Sequence, residues 1–197
     1  MGSLDNKVAI VTGAGGGLGR AHALLLAREG AAVVVNDLGG ARDGTGSGQS
    51  MADGVVDEIV AAGGRAVANY GSVTDDTSAQ AMVTTAKDAF GRVDILINNA
   101  GGPPGGPLVE AQEDSFQVGF NRHVLASQRL TQGCLESMTS AGYGRIINII
   151  STSVREPIVG LGVSNTIRGA MAGWSKTLAR ELPPGITINN VLPGFTD

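Results

Sequence analysis

A run of small residues, Thr12-Gly13-Ala14-Gly15-Gly16-Gly17-Leu18-Gly19, stands between a short apolar segment and a stretch of helical period. Glycines delivered from a strand into a helix start let the backbone approach a pyrophosphate closely, and they aim unpaired N–H groups and the positive helix end at it. The strand before and the helix after separate this pattern from a flexible turn. The second apolar segment leads into Asp37, 24 residues beyond Gly13, near the spacing at which a carboxylate holds the ribose hydroxyls of an adenosine. A carboxylate there repels a 2′-phosphate, so NAD is favoured over NADP, with Arg42 in the adjoining loop as the group that would reach such a phosphate. The plain alternative for Asp37 is a turn residue at a strand end. Two histidines suit proton transfer near neutrality. His22, one turn into the first helix, reads as solvated surface. His123 falls on the stripe Phe116, Phe120, His123, Ser127, Leu130, Cys134, where the plain alternative is a core histidine bonded to a carbonyl.

Groups of this kind need a frame, and the chain supplies a regular one. Val8 to Val11, Ala32 to Val35, Ala66 to Asn69, Val93 to Ile97, Ile146 to Ile150 and Ile186 to Val191 read as six strands, several apolar on consecutive residues as expected when both faces of a parallel sheet are covered. Helical stretches lie between them. Arg20 to Glu29 stops at Gly30, Asp53 to Ala62 at Gly63-Gly64, and Asp75 to Phe90 at Gly91, where left-handed caps belong. The alternation predicts an α/β fold: a single Rossmann-type, doubly wound parallel sheet over residues 1–197 with right-handed crossovers. Gly39 to Ser50 holds five glycines and almost nothing apolar, so a mobile surface loop is expected there. Gly101 to Pro107 is stiffened by three prolines.

Composition narrows the function classes. The 197 residues carry a formal net charge of -4 and seven aromatic rings, which gives no basic face for a phosphate backbone and few rings for base stacking; nucleic acid is excluded as a partner. The single cysteine, Cys134, forms no internal disulfide and no thiol set for a metal, which fits a cytoplasmic protein. No apolar run reaches the ~20 residues of a membrane span. Met1 to Lys7 lacks the parts of a secretory signal, and Asn6 stands where a myristoylation signal needs Ser or Thr.

The spacing Thr-Gly-x-x-x-Gly-x-Gly of Thr12 to Gly19, with Asn98-Asn99-Ala100-Gly101 after the fourth strand and Pro193-Gly194 after the sixth, resembles the short-chain dehydrogenase/reductase family over the whole chain. Asn36-Asp37-Leu38-Gly39-Gly40 is similar to the hydroxyacyl-CoA dehydrogenase part of multifunctional β-oxidation enzymes, and the second half to 3-oxoacyl-ACP-reductase-like members. The resemblance implies an NAD(P)-dependent oxidoreductase moving hydride between its cofactor and a carbonyl or alcohol, with 3-oxoacyl or 3-hydroxyacyl compounds as the substrate class. It places Gly13, Gly17, Leu18 and Gly19 at the pyrophosphate, Ser72 and Val73 beside adenine, Asn99, Ala100 and Gly101 along the ribose side, and Pro193 and Gly194 against the nicotinamide. It also implies a homo-oligomer packed through helices at Glu113 to Gly142 and Val163 to Leu182. Members run further, adding a substrate-covering loop and a last strand, so an incomplete chain is a third reading beside the enzyme and a nucleotide-binding module.

Members also carry Asn, Ser, Tyr and Lys, where Tyr shuttles the proton, Lys lowers its pKa and holds ribose, and Ser bonds the reacting oxygen. Counting back from Ala179-Arg180-Glu181 puts Arg168 at the Lys position, Ser164 at the Tyr position and Ser151 at the Ser position; counting back from Thr131-Gln132 puts His123 at the Asn position, with Asn121 two residues off. Four residues after Tyr70 and Tyr143 stand Thr74 and Ile147, so no Tyr-x-x-x-Lys exists. A serine hydroxyl titrates far above a phenol and a guanidinium trades no protons, so Ser164 with Arg168 does not replace the pair by simple chemistry. The expectation is that Ser151 polarises the reacting oxygen, His123 or water supplies the proton, and Arg168 holds ribose. The plain alternatives are a capping role for Ser151 and Ser164 and an acid partner for Arg168.

Overall fold

A computed structural model describes residues 2–39 and 50–194. The expected mobile loop, Arg42 included, lies outside the described residues except for its two ends. The chain runs β1 (Val8–Val11), α1 (Gly17–Arg28), β2 (Ala32–Asn36), α2 (Ser50–Ala61), β3 (Arg65–Asn69), α3 (Asp76–Phe90), β4 (Ile95–Asn98), α4 (Glu113–Phe120), a π-helical segment Asn121–Leu125, α5 (Ala126–Ala141), β5 (Gly144–Ile149), α6 (Gly162–Leu178) and β6 (Ile186–Val191). The six strands form one parallel sheet in the order β3-β2-β1-β4-β5-β6. All six sequence-read strands are present, with ends displaced by up to two residues.

Every residue of β1, β2 and β4 is buried, the state their unbroken apolar runs require. The pleat sorts them into two layers. Val8, Ile10, Leu96 and Ile146 pack on Met82 of α3 and on Leu130 and Met138 of α5. Ala9, Val11, Val33 and Ile97 pack on Ala23 of α1 and on Val55 and Ile59 of α2. Because strand order reverses between β1 and β4, the loops that follow these two strands diverge and leave a crevice above the carboxyl ends of the sheet, the place where open α/β sheets hold ligands.

Two features at that end went unread in the sequence. Asn98, Asn148 and Asn190 occupy matched register positions on β4, β5 and β6. Asn98 Nδ2 donates to Asn148 Oδ1 at 2.8 Å, and Asn148 Nδ2 donates to Asn190 Oδ1 and Ser175 Oγ, each at 3.0 Å. The ladder ties the strand ends together beneath the crevice, with Asn98 Oδ1 left without a partner among the described residues. The second feature is the π-helical segment Asn121–Leu125 between α4 and α5. A widened turn of this kind re-aims side chains and recurs at functional sites; here it turns His123 and Val124 into the interior.

Candidate active site

The loop after β1 is shaped by contacts that admit no side chain. A Cβ on Gly13 would lie 2.5 Å from the Asn99 carbonyl oxygen, and one on Gly19 would lie 2.0 Å from the carbonyl oxygen of Gly13. Gly17 is different: φ is +49° and a Cβ there would meet nothing within 4 Å, so its hydrogen faces open space. The helix that follows starts without a side-chain cap, its N-cap being Gly16, and its first N–H groups remain available to an anion. Thr12 and Asn99 clasp the two diverging loops. Asn99 N–H donates to Thr12 Oγ1 at 2.9 Å, Thr12 Oγ1 donates to the Asn99 carbonyl at 3.0 Å, and Asn99 Nδ2 donates to the carbonyls of Thr12 and Gly13, each at 3.1 Å. Across the loop, Asp37 accepts from Gly15 N–H and Gly39 N–H, each at 2.7 Å.

Between these loops lies a cleft of about 930 Å³. Of the residues expected from the sequence, Gly13, Gly17, Leu18, Asp37, Ser72, Val73, Asn99, Ala100, Gly101, Arg168 and Pro193 line it. Gly19 packs against the Gly13 carbonyl instead, and Gly194 lies over Thr152. Asn36, Met51 and Arg122 also line the cleft and were missed; the only sequence signal for Asn36 was its place beside Asp37. The open face at Gly17, the uncapped helix start and the carboxylate at the end of β2 together fit an extended dinucleotide.

The catalytic positions are arranged less simply. Ser151 N-caps a short 3-10 turn, Thr152–Val154, its Oγ accepting from Ser153 N–H at 3.1 Å; the hydroxyl proton stays free to donate elsewhere. Ser164 is buried in the first turn of α6. It is not the cap expected as its plain role, because that position is Leu161. Neither serine lines the cleft. Arg168 is buried, and among the described residues no acid partners it: its Nη1 donates to the Ile149 carbonyl at 3.0 Å and meets His123 Nδ1 at 3.3 Å. Burial lowers Arg168 to about 10, so it remains charged at neutral pH.

His123, for which the sequence left a proton source and a core histidine open, takes the buried setting of the second. Its ring is buried, and burial first, then the positive charges of Arg168 and Arg122, push it down to about 3, against a weak opposing pull from the Gly101 carbonyl. An arginine only donates, so Nδ1 accepts and the ring is the neutral Nε2–H tautomer. A group so far from neutrality gives up no proton at pH 7. The missing tyrosine is not supplied through space either. Tyr70 donates to Asp53 on α2 at 2.5 Å, and Tyr143 lies beneath Lys7 and Arg145.

A model of the short chain dehydrogenase family matches residues 7–197. The chain belongs to this family. It is 50% identical to a peroxisomal multifunctional enzyme type 2 of Drosophila melanogaster over 149 residues, which are 76% of this chain and 24% of that protein. It is 34% identical to a 3-oxoacyl-[acyl-carrier-protein] reductase of a Synechocystis species over 99% of this chain and 76% of that one. Among solved structures, a 7α-hydroxysteroid dehydrogenase complexed with NADH and 7-oxo glycochenodeoxycholic acid superposes with a TM-score of 0.88 at 31% identity, covering 97% of this chain and 71% of that chain. The chain thus spans about a quarter of the multifunctional relative. Short-chain dehydrogenases are oxidoreductases that use nicotinamide cofactors. Among the described residues no helix is long and apolar enough to cross a membrane.

Proposed function

We propose that the chain binds NAD(H) in this cleft and acts as an oxidoreductase on a carbonyl or alcohol, with 3-oxoacyl and 3-hydroxyacyl compounds as the substrate class. The observation that carries the cofactor is the outward face of Gly17 beside an uncapped helix start, with the Asp37 carboxylate across the loop. Gly13, Gly17 and Leu18 hold the pyrophosphate, Asp37 takes the ribose hydroxyls and disfavours NADP, Ser72 and Val73 flank adenine, and Arg168 with Pro193 borders the nicotinamide end. When bound, the cofactor supplies or accepts the hydride. Ser151, which follows the cleft-lining Ile149 and Ile150 and whose oxygen accepts from Ser153 N–H, donates a hydrogen bond to the reacting oxygen and stabilises the charge that develops there. Water delivers the proton, since His123 and Arg168 stay neutral and charged respectively through the working range.

The peroxisomal and acyl-carrier relatives support the acyl substrate class. Val118, Phe120 and Leu125 are exposed along α4 and the segment after it, which supports a homo-oligomer through that face. The buried thiol of Cys134 suits a reducing compartment such as the cytoplasm.

A nucleotide-binding module without turnover is the second reading, favoured by the lack of a histidine, cysteine or tyrosine among the described residues lining the cleft. Hydride transfer, assayed as reduction of 3-oxoacyl thioesters and ketones with NADH and as oxidation of alcohols with NAD, separates the two. The parent is expected to turn over slowly. If only the double variant Ser164→Tyr with Arg168→Lys turns over, the parent is a binding module.

A further inference from the structure

Arg168 poses an energetic problem. It is 7% exposed, and among the described residues its Nε has no partner and no carboxylate meets its charge. A buried cation without an acid needs neutral acceptors in good geometry to hold it. The structure offers two for one nitrogen: the Ile149 carbonyl at the end of β5, and the ring of His123. The carbonyl belongs to the backbone and would be there for any sequence. The ring is there because the π-helical segment turns position 123 inward while its neighbours Asn121 and Arg122 remain half-buried. The same guanidinium borders the cleft, and its Nη2 lies 4.0 Å from where a Cβ on Gly102 would stand.

We propose that His123 is a positioning residue: its unprotonated Nδ1 holds Arg168 Nη1 against the Ile149 carbonyl, so that the rest of the guanidinium is presented to the cleft beside Gly101 and Gly102, where it donates to the nucleotide. This rests on the reading of the cleft as a dinucleotide site. A lysine has a flexible stem and one nitrogen, whereas the planar fork of an arginine spends one nitrogen on an internal anchor and keeps another for a ligand. The anchor must accept and must be neutral. An imidazole on its Nε2–H tautomer does both, and a protonated one would repel the guanidinium.

The test has two arms. In the whole chain labelled with ¹⁵N-histidine, the His123 ring is expected to show an unprotonated Nδ1 and a protonated Nε2 at pH 7; the opposite tautomer, or a doubly protonated ring, overturns the proposal. In calorimetric titrations with NADH, His123→Leu is expected to weaken binding ~10- to 100-fold, the loss of one hydrogen bond to a charged group. His123→Gln, which keeps an acceptor, is expected to recover most of that affinity. In an Arg168→Met background His123→Leu should cost nothing more. Equal NADH affinity in the parent and His123→Leu, or an undiminished loss in the Arg168→Met background, overturns the positioning role. Failure of the parent itself to bind NADH overturns the functional reading and this role with it. Should His123→Leu not fold, His123→Gln and the tautomer decide: an unprotonated Nδ1 with near-parental affinity in His123→Gln supports the role, and a protonated Nδ1 removes it.

Discussion

The half of the crevice built on β1 and β2 and the half built on β5 and α6 hold their shape by opposite means. In the first, the backbone does the work: Gly13 and Gly19 admit no Cβ, Gly17 opens outward, and Asp37 fastens the loop through two backbone N–H groups. In the second, side chains fasten one another: Ser151 holds Ser153, Arg168 holds Ile149 and His123, and Asn148 sits between Asn98 and Asn190. A site made from backbone tolerates little change, since a Cβ at Gly13 or Gly19 collides and one at Gly17 would fill the open face. A site made from side chains can exchange its chemistry while the frame persists, and the chain holds no Tyr-x-x-x-Lys, the count from Ala179-Arg180-Glu181 falling on Ser164 and Arg168 instead. The difference teaches that nucleotide binding and proton transfer are separable properties of this fold.

The sharpest way to break that division is to place a side chain where the backbone half is open. Gly17→Val is expected to abolish detectable NADH binding in calorimetry, with a thermal stability loss limited to the left-handed strain of about 1–2 kcal/mol. Retained binding would show that the cofactor does not lie over Gly17. In the side-chain half, Ser151→Ala is expected to lower kcat by ~10²- to 10³-fold with NADH affinity little changed, and an intact rate would remove Ser151 from the chemistry. Asp37→Ala crosses the two halves least. It should shift the NAD/NADP affinity ratio toward NADP by roughly 10-fold, the worth of one charge-assisted hydrogen bond, and an unchanged ratio in paired titrations would leave Asp37 with only its role in fastening the loop.

A separate effect concerns pH. His123 titrates near 3 in the fold against an ordinary value of 6.5. Below 6.5 the unfolded chain takes up a proton that the fold refuses, so the stability this histidine contributes is present above pH 6.5 and declines as pH falls toward 3. Thermal melts across that window should show the decline in the parent and less of it in His123→Gln. The pH–rate profile should show no inflection from His123 between 6 and 7.

Much of the frame was legible because burial on both faces leaves a plain mark: Val8 to Val11 and Ala32 to Val35 carry no polar residue, and glycines stand where helices stop. The glycine string and Asp37 were legible for a related reason, since steric demand at a close approach restricts residue type. The interior polar contacts were not. Asn98, Asn148 and Asn190 each stand near the end of a strand, a repeated position that could have been noticed, but their ladder depends on register, which emerges only when the strands pair. For His123 the sequence left two readings open, a core histidine on the stripe Phe116 to Cys134 and a proton source, and the buried setting is the one the structure shows. Its place beside two arginines, within a π-helical segment, is what the hydrophobic period did not show. Thr12 with Asn99 likewise joins residues 87 apart.

The central claim, that the intact backbone half binds NAD(H) whatever the other half can catalyse, is tested most directly by calorimetric titration of the parent chain with NADH and with NADPH. One NADH per chain, bound more tightly than NADPH, is the expected result. No measurable heat with either nucleotide, or tighter binding of NADPH, would contradict it.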